Sequence, residues 1–117
     1  MDWGLQNRLS QIIKPETGRA VMLAVDHGYF LGPISRLENP KKTITPLIPY
    51  ADTLMITRGA LRACIDPKNT KPIVLRVSGG NSIVGKELSN EGITVAFKDA
   101  LRLNVAAVAL SIYIGTD

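Results

Sequence analysis

The chain has 117 residues, 45% of them hydrophobic and 21% charged, with one cysteine; this suits a single small packed domain and excludes a disordered segment or an internal disulfide. The net charge of +4 comes from basic residues scattered between Arg8 and Arg102, with only Lys41-Lys42 adjacent and few aromatics, so nucleic acid is not an expected partner. No run of about 18 apolar residues is long enough to cross a membrane, and Met1-Asp2-Trp3-Gly4 lacks the regions of a secretory signal, so a soluble, cytoplasmic protein is expected.

In chain order, Leu5, Leu9, Ile12 and Ile13 recur at helical spacing, predicting a first helix over Trp3 to Ile13 that Lys14-Pro15-Glu16-Thr17-Gly18 ends. Ala20 to Val25 is a continuous apolar run, the pattern of a strand buried on both faces of a parallel sheet. Asn39-Pro40 predicts a helix start directed towards Tyr50, with a kink or early stop at Pro46. Asp52 to Thr57 is a second strand, and Arg58 to Ile65 a short helix closed by Asp66-Pro67; Cys64 within it reads as a buried thiol. Ile73 to Val77 is a third strand, interrupted by Gly79-Gly80. A short extended piece over Ile93 to Phe97, a helix over Lys98 to Asn104 and a fourth strand over Ala106 to Ile114 complete the pattern. Strand and helix alternate, so the strands are expected to be parallel; longer glycine-bearing loops at their carboxyl ends favour a (β/α)-barrel over an open sheet.

The chemistry-bearing residues fall at those carboxyl ends. Asp26 and His27 directly follow the first strand, where α/β enzymes place catalytic groups, although both could merely cap a turn before Gly28. Arg58 ends the second strand and suits substrate binding or a structural ion pair. Ser78, opening Ser78-Gly79-Gly80-Asn81-Ser82, could present donors to a ligand or form a tight turn; Tyr113 could reach the barrel mouth or pack in the core. Ser89-Asn90-Glu91 reads as shaping a loop or an oligomer contact. A single histidine with distant carboxylates gives no recognisable metal-ligand set.

Five segments together carry a resemblance: Leu23-Ala24-Val25-Asp26-His27-Gly28-Tyr29-Phe30, Met55-Ile56-Thr57-Arg58-Gly59, Leu75-Arg76-Val77-Ser78-Gly79-Gly80-Asn81-Ser82, Glu87-Leu88-Ser89-Asn90-Glu91 and Ile112-Tyr113-Ile114-Gly115. The sequence resembles the bacterial and archaeal Schiff-base (class I) aldolase family, most closely its thiolase branch, which the Tyr29-Phe30 neighbourhood favours. The resemblance covers nearly the whole chain and about the first half of the family's (β/α)8 TIM barrel, so residues 1–117 are expected to form a partial barrel domain of about four strands preceded by a helix.

The resemblance implies a lysine that attacks a substrate ketone, forming an iminium that draws electrons from the carbon–carbon bond being broken. That lysine is expected outside these 117 residues. Lys14, Lys41, Lys42, Lys68, Lys71, Lys86 and Lys98 all fall in predicted loops, helix starts or strand entrances, without the burial that would activate an amine, so this chain alone is expected to be inactive. Asp26 is then expected to move protons during Schiff-base formation and collapse, with His27 suited to acid–base work near neutral pH. In the thiolase branch the acetyl group of 3-hydroxy-5-phosphonooxypentane-2,4-dione, a product of autoinducer-2 breakdown, passes to coenzyme A as co-substrate and leaves glycerone phosphate. No bound cofactor is implied. A phosphorylated ketone also accounts for the mild positive excess, as would an acidic partner segment.

Two other readings remain at this level: a sugar-phosphate aldolase such as class I fructose-bisphosphate aldolase, or a non-catalytic association module. Four strands leave two open sheet edges, so a homo-oligomer or recruitment of another chain is expected.

Overall fold

A computed structural model describes residues 1–87 and 89–115; Leu88, within the Glu87–Glu91 segment, lies outside the described residues. Helix α1 (Trp3–Ile12) starts where the Asp2 carboxylate accepts from the Gly4 and Leu5 amides at 2.8 and 3.2 Å, satisfying two orphan donors of the first turn. It buries no residue completely, and Arg8 ties it to the domain by donating to the Val105 carbonyl at 2.7 Å. Gly18, at φ +65°, lets the following turn close through the Lys14–Arg19 bridge.

Four strands form one parallel sheet in the order β1 (Met22–Ala24), β2 (Thr53–Thr57), β3 (Ile73–Arg76), β6 (Ala107–Ala109). Between them lie the one-turn helix α2 (Gly28–Leu31), α3 (Pro40–Ile44) running into a 3-10 turn (Thr45–Tyr50), α4 (Arg58–Cys64) and α5 (Phe97–Arg102). Asn39 caps α3 by accepting from the Lys42 amide at 3.1 Å, and Pro46 converts the continuation to 3-10 geometry, the early stop that the sequence predicts. Thr57 caps α4 in the same way. The core joins Leu54, Ile56 and Leu75 of the central strands to Ile44 from α3, all fully buried, with Val77, Val95, Ala100 and Val105 around them.

The sequence-based boundaries shift where tertiary context intervenes. The first strand is not buried on both faces: Val21, Met22 and Ala24 are exposed because β1 is an edge strand paired only with β2. Gly79-Gly80 does more than interrupt β3. Ser78–Gly79 (β4) pairs antiparallel with Gly92–Ile93 (β5) in a separate two-stranded ribbon, so Ile93 is extended while Phe97 already opens α5. β6 is three residues long, and Ile112 and Ile114 beyond its ladder are exposed. Cys64, at the last turn of α4, is half-buried rather than buried. The Asp26–Gly32 stretch, rich in glycine, contains the helical turn α2, which periodicity over four residues could not reveal.

Candidate active site

Parallel pairing brings the carboxyl ends of β1, β3 and β6 to one rim of the sheet, and a polar cluster occupies it. Arg76, the last residue of β3, is at its centre. Its Nη1 donates to Asp26 Oδ2 at 3.1 Å and its Nη2 to Glu91 Oε2 at 3.0 Å, all three side chains being about nine-tenths buried or more. Nη2 also reaches the Tyr29 hydroxyl and Ser111 Oγ, while Nε donates to the Ser78 carbonyl at 3.2 Å. The guanidinium lies 4.4 Å from the centre of the Tyr29 ring, within cation–π range. Gly79 packs against the same ring, where a Cβ would lie 3.4 Å from it, an ordinary van der Waals contact.

Glu91 is the most fully bonded carboxylate in the cluster. Besides Arg76, it accepts from the Tyr29 hydroxyl, from Ser78 Oγ at 2.8 Å and from the Tyr113 hydroxyl at 3.0 Å. Ser78 Oγ in turn accepts from the Ser111 amide at 3.0 Å, tying the segment after β6 to β4. Burial works to raise the Glu91 carboxyl, but the hydrogen bonds from Tyr29, Ser78, Tyr113 and Arg76 outweigh it and hold the group down at about 2. Burial and the hydrogen bond to Glu91 push the Tyr29 phenol up to about 12, against the opposing pull of Ser111 and Arg76. Burial opposes the charge on Arg76, yet its acidic partners, Glu91 foremost, raise its pKa.

Asp26 is bonded more sparingly. Its Oδ2 meets Arg76, and no hydrogen bond to its Oδ1 is found among the described residues. It also lines a cleft of about 320 Å³ bounded by Val25, Gly28, Gly32, Pro33, Leu37 and Thr57. The turn after β1 is closed by the Asp26 carbonyl, which accepts from the Tyr29 amide at 3.1 Å, so the carboxylate is not consumed as a turn cap. His27 occupies the N-cap position of α2 without a side-chain cap, and its ring makes no hydrogen bond among the described residues.

The structure therefore gathers Asp26, Ser78 and Tyr113 into one network and keeps His27 beside it. Arg58 is not brought there: its Nη1 pairs with Asp99 Oδ2 on α5 at 2.7 Å, the structural ion pair that the sequence left open. Arg76, Glu91, Tyr29 and Ser111 were not singled out as site residues from the sequence. A signal existed for Arg76, a charge closing the apolar strand Ile73-Val74-Leu75; Glu91 belongs to a segment that carries the resemblance but reads from the sequence only as a loop or an oligomer contact, whereas the fold buries it against Tyr29 and Arg76. No group of three or more His, Cys, Asp or Glu side chains that could hold a metal ion occurs among the described residues.

Comparison with known proteins bears on this rim. No protein-family model matches the chain. All 117 residues align with the 3-hydroxy-5-phosphonooxypentane-2,4-dione thiolases of Photorhabdus laumondii subsp. laumondii at 57% identity and of Enterobacter sp. (strain 638) at 56%, spanning 40% and 39% of those proteins. An uncharacterized aldolase of Pasteurella multocida is 54% identical over the same 117 residues, 40% of its length. The chain is thus similar to these proteins over its whole length. It spans about 40% of the length of the curated relatives it matches. Among solved structures, a Schiff base forming fructose-1,6-bisphosphate aldolase superposes with a TM-score of 0.75 at 24% identity, covering 95% of this chain and 45% of that one. An archaeal fructose 1,6-bisphosphate aldolase gives 0.73 at 23%, with the same coverage. That likeness is one of fold: the four-stranded parallel sheet with its helices matches the N-terminal part of the TIM barrel seen in those aldolases.

Proposed function

We propose that residues 1–117 form the partial barrel domain carrying the proton-transfer side of a class I aldolase or thiolase active site, with the imine-forming lysine supplied from outside these residues. The observation that carries this reading is the pairing of buried Asp26 with Arg76 at the carboxyl rim of the sheet, where Asp26 lines an open cleft and its Oδ1 accepts no hydrogen bond among the described residues. A carboxylate so held can take the proton from a lysine ammonium, freeing the neutral amine to attack the ketone, and return it to the carbinolamine hydroxyl as that group leaves as water. His27, beside it in the chain, is a second candidate for that exchange, and Tyr113 and Ser78 hold Glu91 at the rim where substrate is expected to bind. Six of the seven lysines are exposed, and the half-buried Lys71 stands at the amino end of β3, opposite the rim, which supports a lysine from elsewhere.

The names of the relatives favour a thiolase acting on 3-hydroxy-5-phosphonooxypentane-2,4-dione; acetyl transfer to coenzyme A is what the resemblance of the sequence to the thiolase branch adds. A sugar-phosphate aldolase is the second reading; the Pasteurella relative supports an aldolase of unstated substrate, and the sugar phosphate comes from the resemblance of the sequence. Assembly with further chain or further copies fits the single pairing of β1 and β6, each bonded on one side only within the sheet. The test is borohydride trapping on a hybrid in which these 117 residues replace the matching segment of the Photorhabdus thiolase, with the chain alone alongside. A substrate-sized mass gain on the hybrid with the phosphorylated diketone, and none on the chain alone, is the expected result. A gain on the chain alone would place a reactive lysine within it. Coenzyme A-dependent turnover of the diketone, as against cleavage of a sugar bisphosphate, separates the two readings.

A further inference from the structure

Two carboxylates share Arg76 unequally. Glu91, reaching the cluster from the segment before β5, meets Arg76 Nη2 and three hydroxyls, from Tyr29 on α2, Ser78 on β4 and Tyr113 beyond β6. Asp26, from the end of β1, receives only Nη1 among the described residues, through one oxygen. Nη2 is further committed to Tyr29 and Ser111, and Nε to the Ser78 carbonyl. A guanidinium normally grips a carboxylate through two parallel N–H groups. Here that grip is divided, and the second donor Asp26 could have received is turned to Glu91.

We infer that Glu91 is a positioning residue: by occupying the Nη2 side of Arg76 it confines Asp26 to a single contact and leaves Asp26 Oδ1 available at the cleft. This rests on the reading of Asp26 as the proton-carrying carboxylate and adds the group that keeps it available. Glu91 itself, with each oxygen accepting at least two hydrogen bonds, has no such capacity. The charged and titratable groups around Asp26 act consistently. Arg76 attracts the carboxylate, Glu91 offsets part of that attraction, Tyr29 and Tyr113 are engaged with Glu91, and His27 adjoins it in the chain.

The experiment is steady-state turnover of the hybrid thiolase carrying Glu91→Gln or Glu91→Asp, with kcat and KM separated and circular dichroism as the control for folding. Glutamine retains an oxygen that accepts from the same hydroxyls but gives Arg76 no anion to hold, so Nη2 is free to close on Asp26. The expected result is a fall of about tenfold in kcat with Glu91→Gln at an unchanged KM and an unchanged spectrum. Glu91→Asp keeps the anion, and its kcat is expected to stay within about threefold of the parent. A folded Glu91→Gln hybrid with unchanged kcat would overturn the inference, as would an equal fall in Glu91→Asp or a loss confined to KM. Failure of the functional reading is distinct, since it would show as unimpaired turnover in an Asp26→Asn hybrid.

Discussion

Arg76 and Asp26 stand fifty residues apart in the chain and meet at 3.1 Å with only 11% and 10% of their side chains exposed, so the fold places a buried ion pair at the rim of its parallel sheet. Burial of both charges costs desolvation energy that the pair recovers only with good hydrogen bonding, and here Glu91, Ser78, Tyr29 and Ser111 complete it.

Removing the shared cation should be costly. Arg76→Met leaves Asp26 and Glu91 buried without their counter-charge, and a loss of about 3–5 kcal/mol in unfolding free energy is expected from urea titration. Arg76→Lys keeps the charge without the fork that serves two carboxylates, so its loss is expected to be smaller but real.

The pH dependence of stability follows from two groups. Glu91 is depressed from 4.5 to about 2, so its contribution is complete above about 4.5 and is lost as pH falls from there towards 2. Tyr29 is raised from 10.0 to about 12, so its contribution is complete below about 10 and is lost as pH rises from 10 towards 12. Urea midpoints measured across both ranges should decline at each end, and Glu91→Gln should flatten the acid decline.

Arg58 gives a contrasting case. Its bond to Asp99 links α4 to α5 at a partly exposed site, with 39% and 26% of the two side chains accessible. Arg58→Ala is expected to cost less than about 1 kcal/mol in unfolding free energy. A loss as large as that of Arg76→Met would show that this exposed pair carries more of the fold than its setting implies.

Much of this was legible in the sequence, for identifiable reasons. The apolar runs ending in Thr57 and Arg76 are central strands, where burial on both faces leaves a continuous signature, and their cores Leu54, Ile56 and Leu75 are fully buried. The same signature misleads at Val21 and Met22, since composition does not report that β1 has a neighbour on one side only. Asp26 was visible because a carboxylate ends an apolar run. Glu91 was not, because its partners Tyr29 and Tyr113 lie 62 and 22 residues away and only the fold assembles them. The Arg58 alternatives, ligand contact or ion pair, could be weighed only once α5 was seen to bring Asp99 against it.

The most direct measurement of the central claim is the turnover number of the hybrid thiolase with Asp26→Asn, compared with its parent under saturating diketone and coenzyme A. Loss of a working general acid–base group is expected to lower it by about 10²–10⁴-fold while the fold survives, as shown by an unchanged circular dichroism spectrum. A correctly folded Asp26→Asn hybrid that turns over within twofold of its parent, roughly 0.4 kcal/mol in barrier height, would contradict the assignment of proton transfer to this carboxylate.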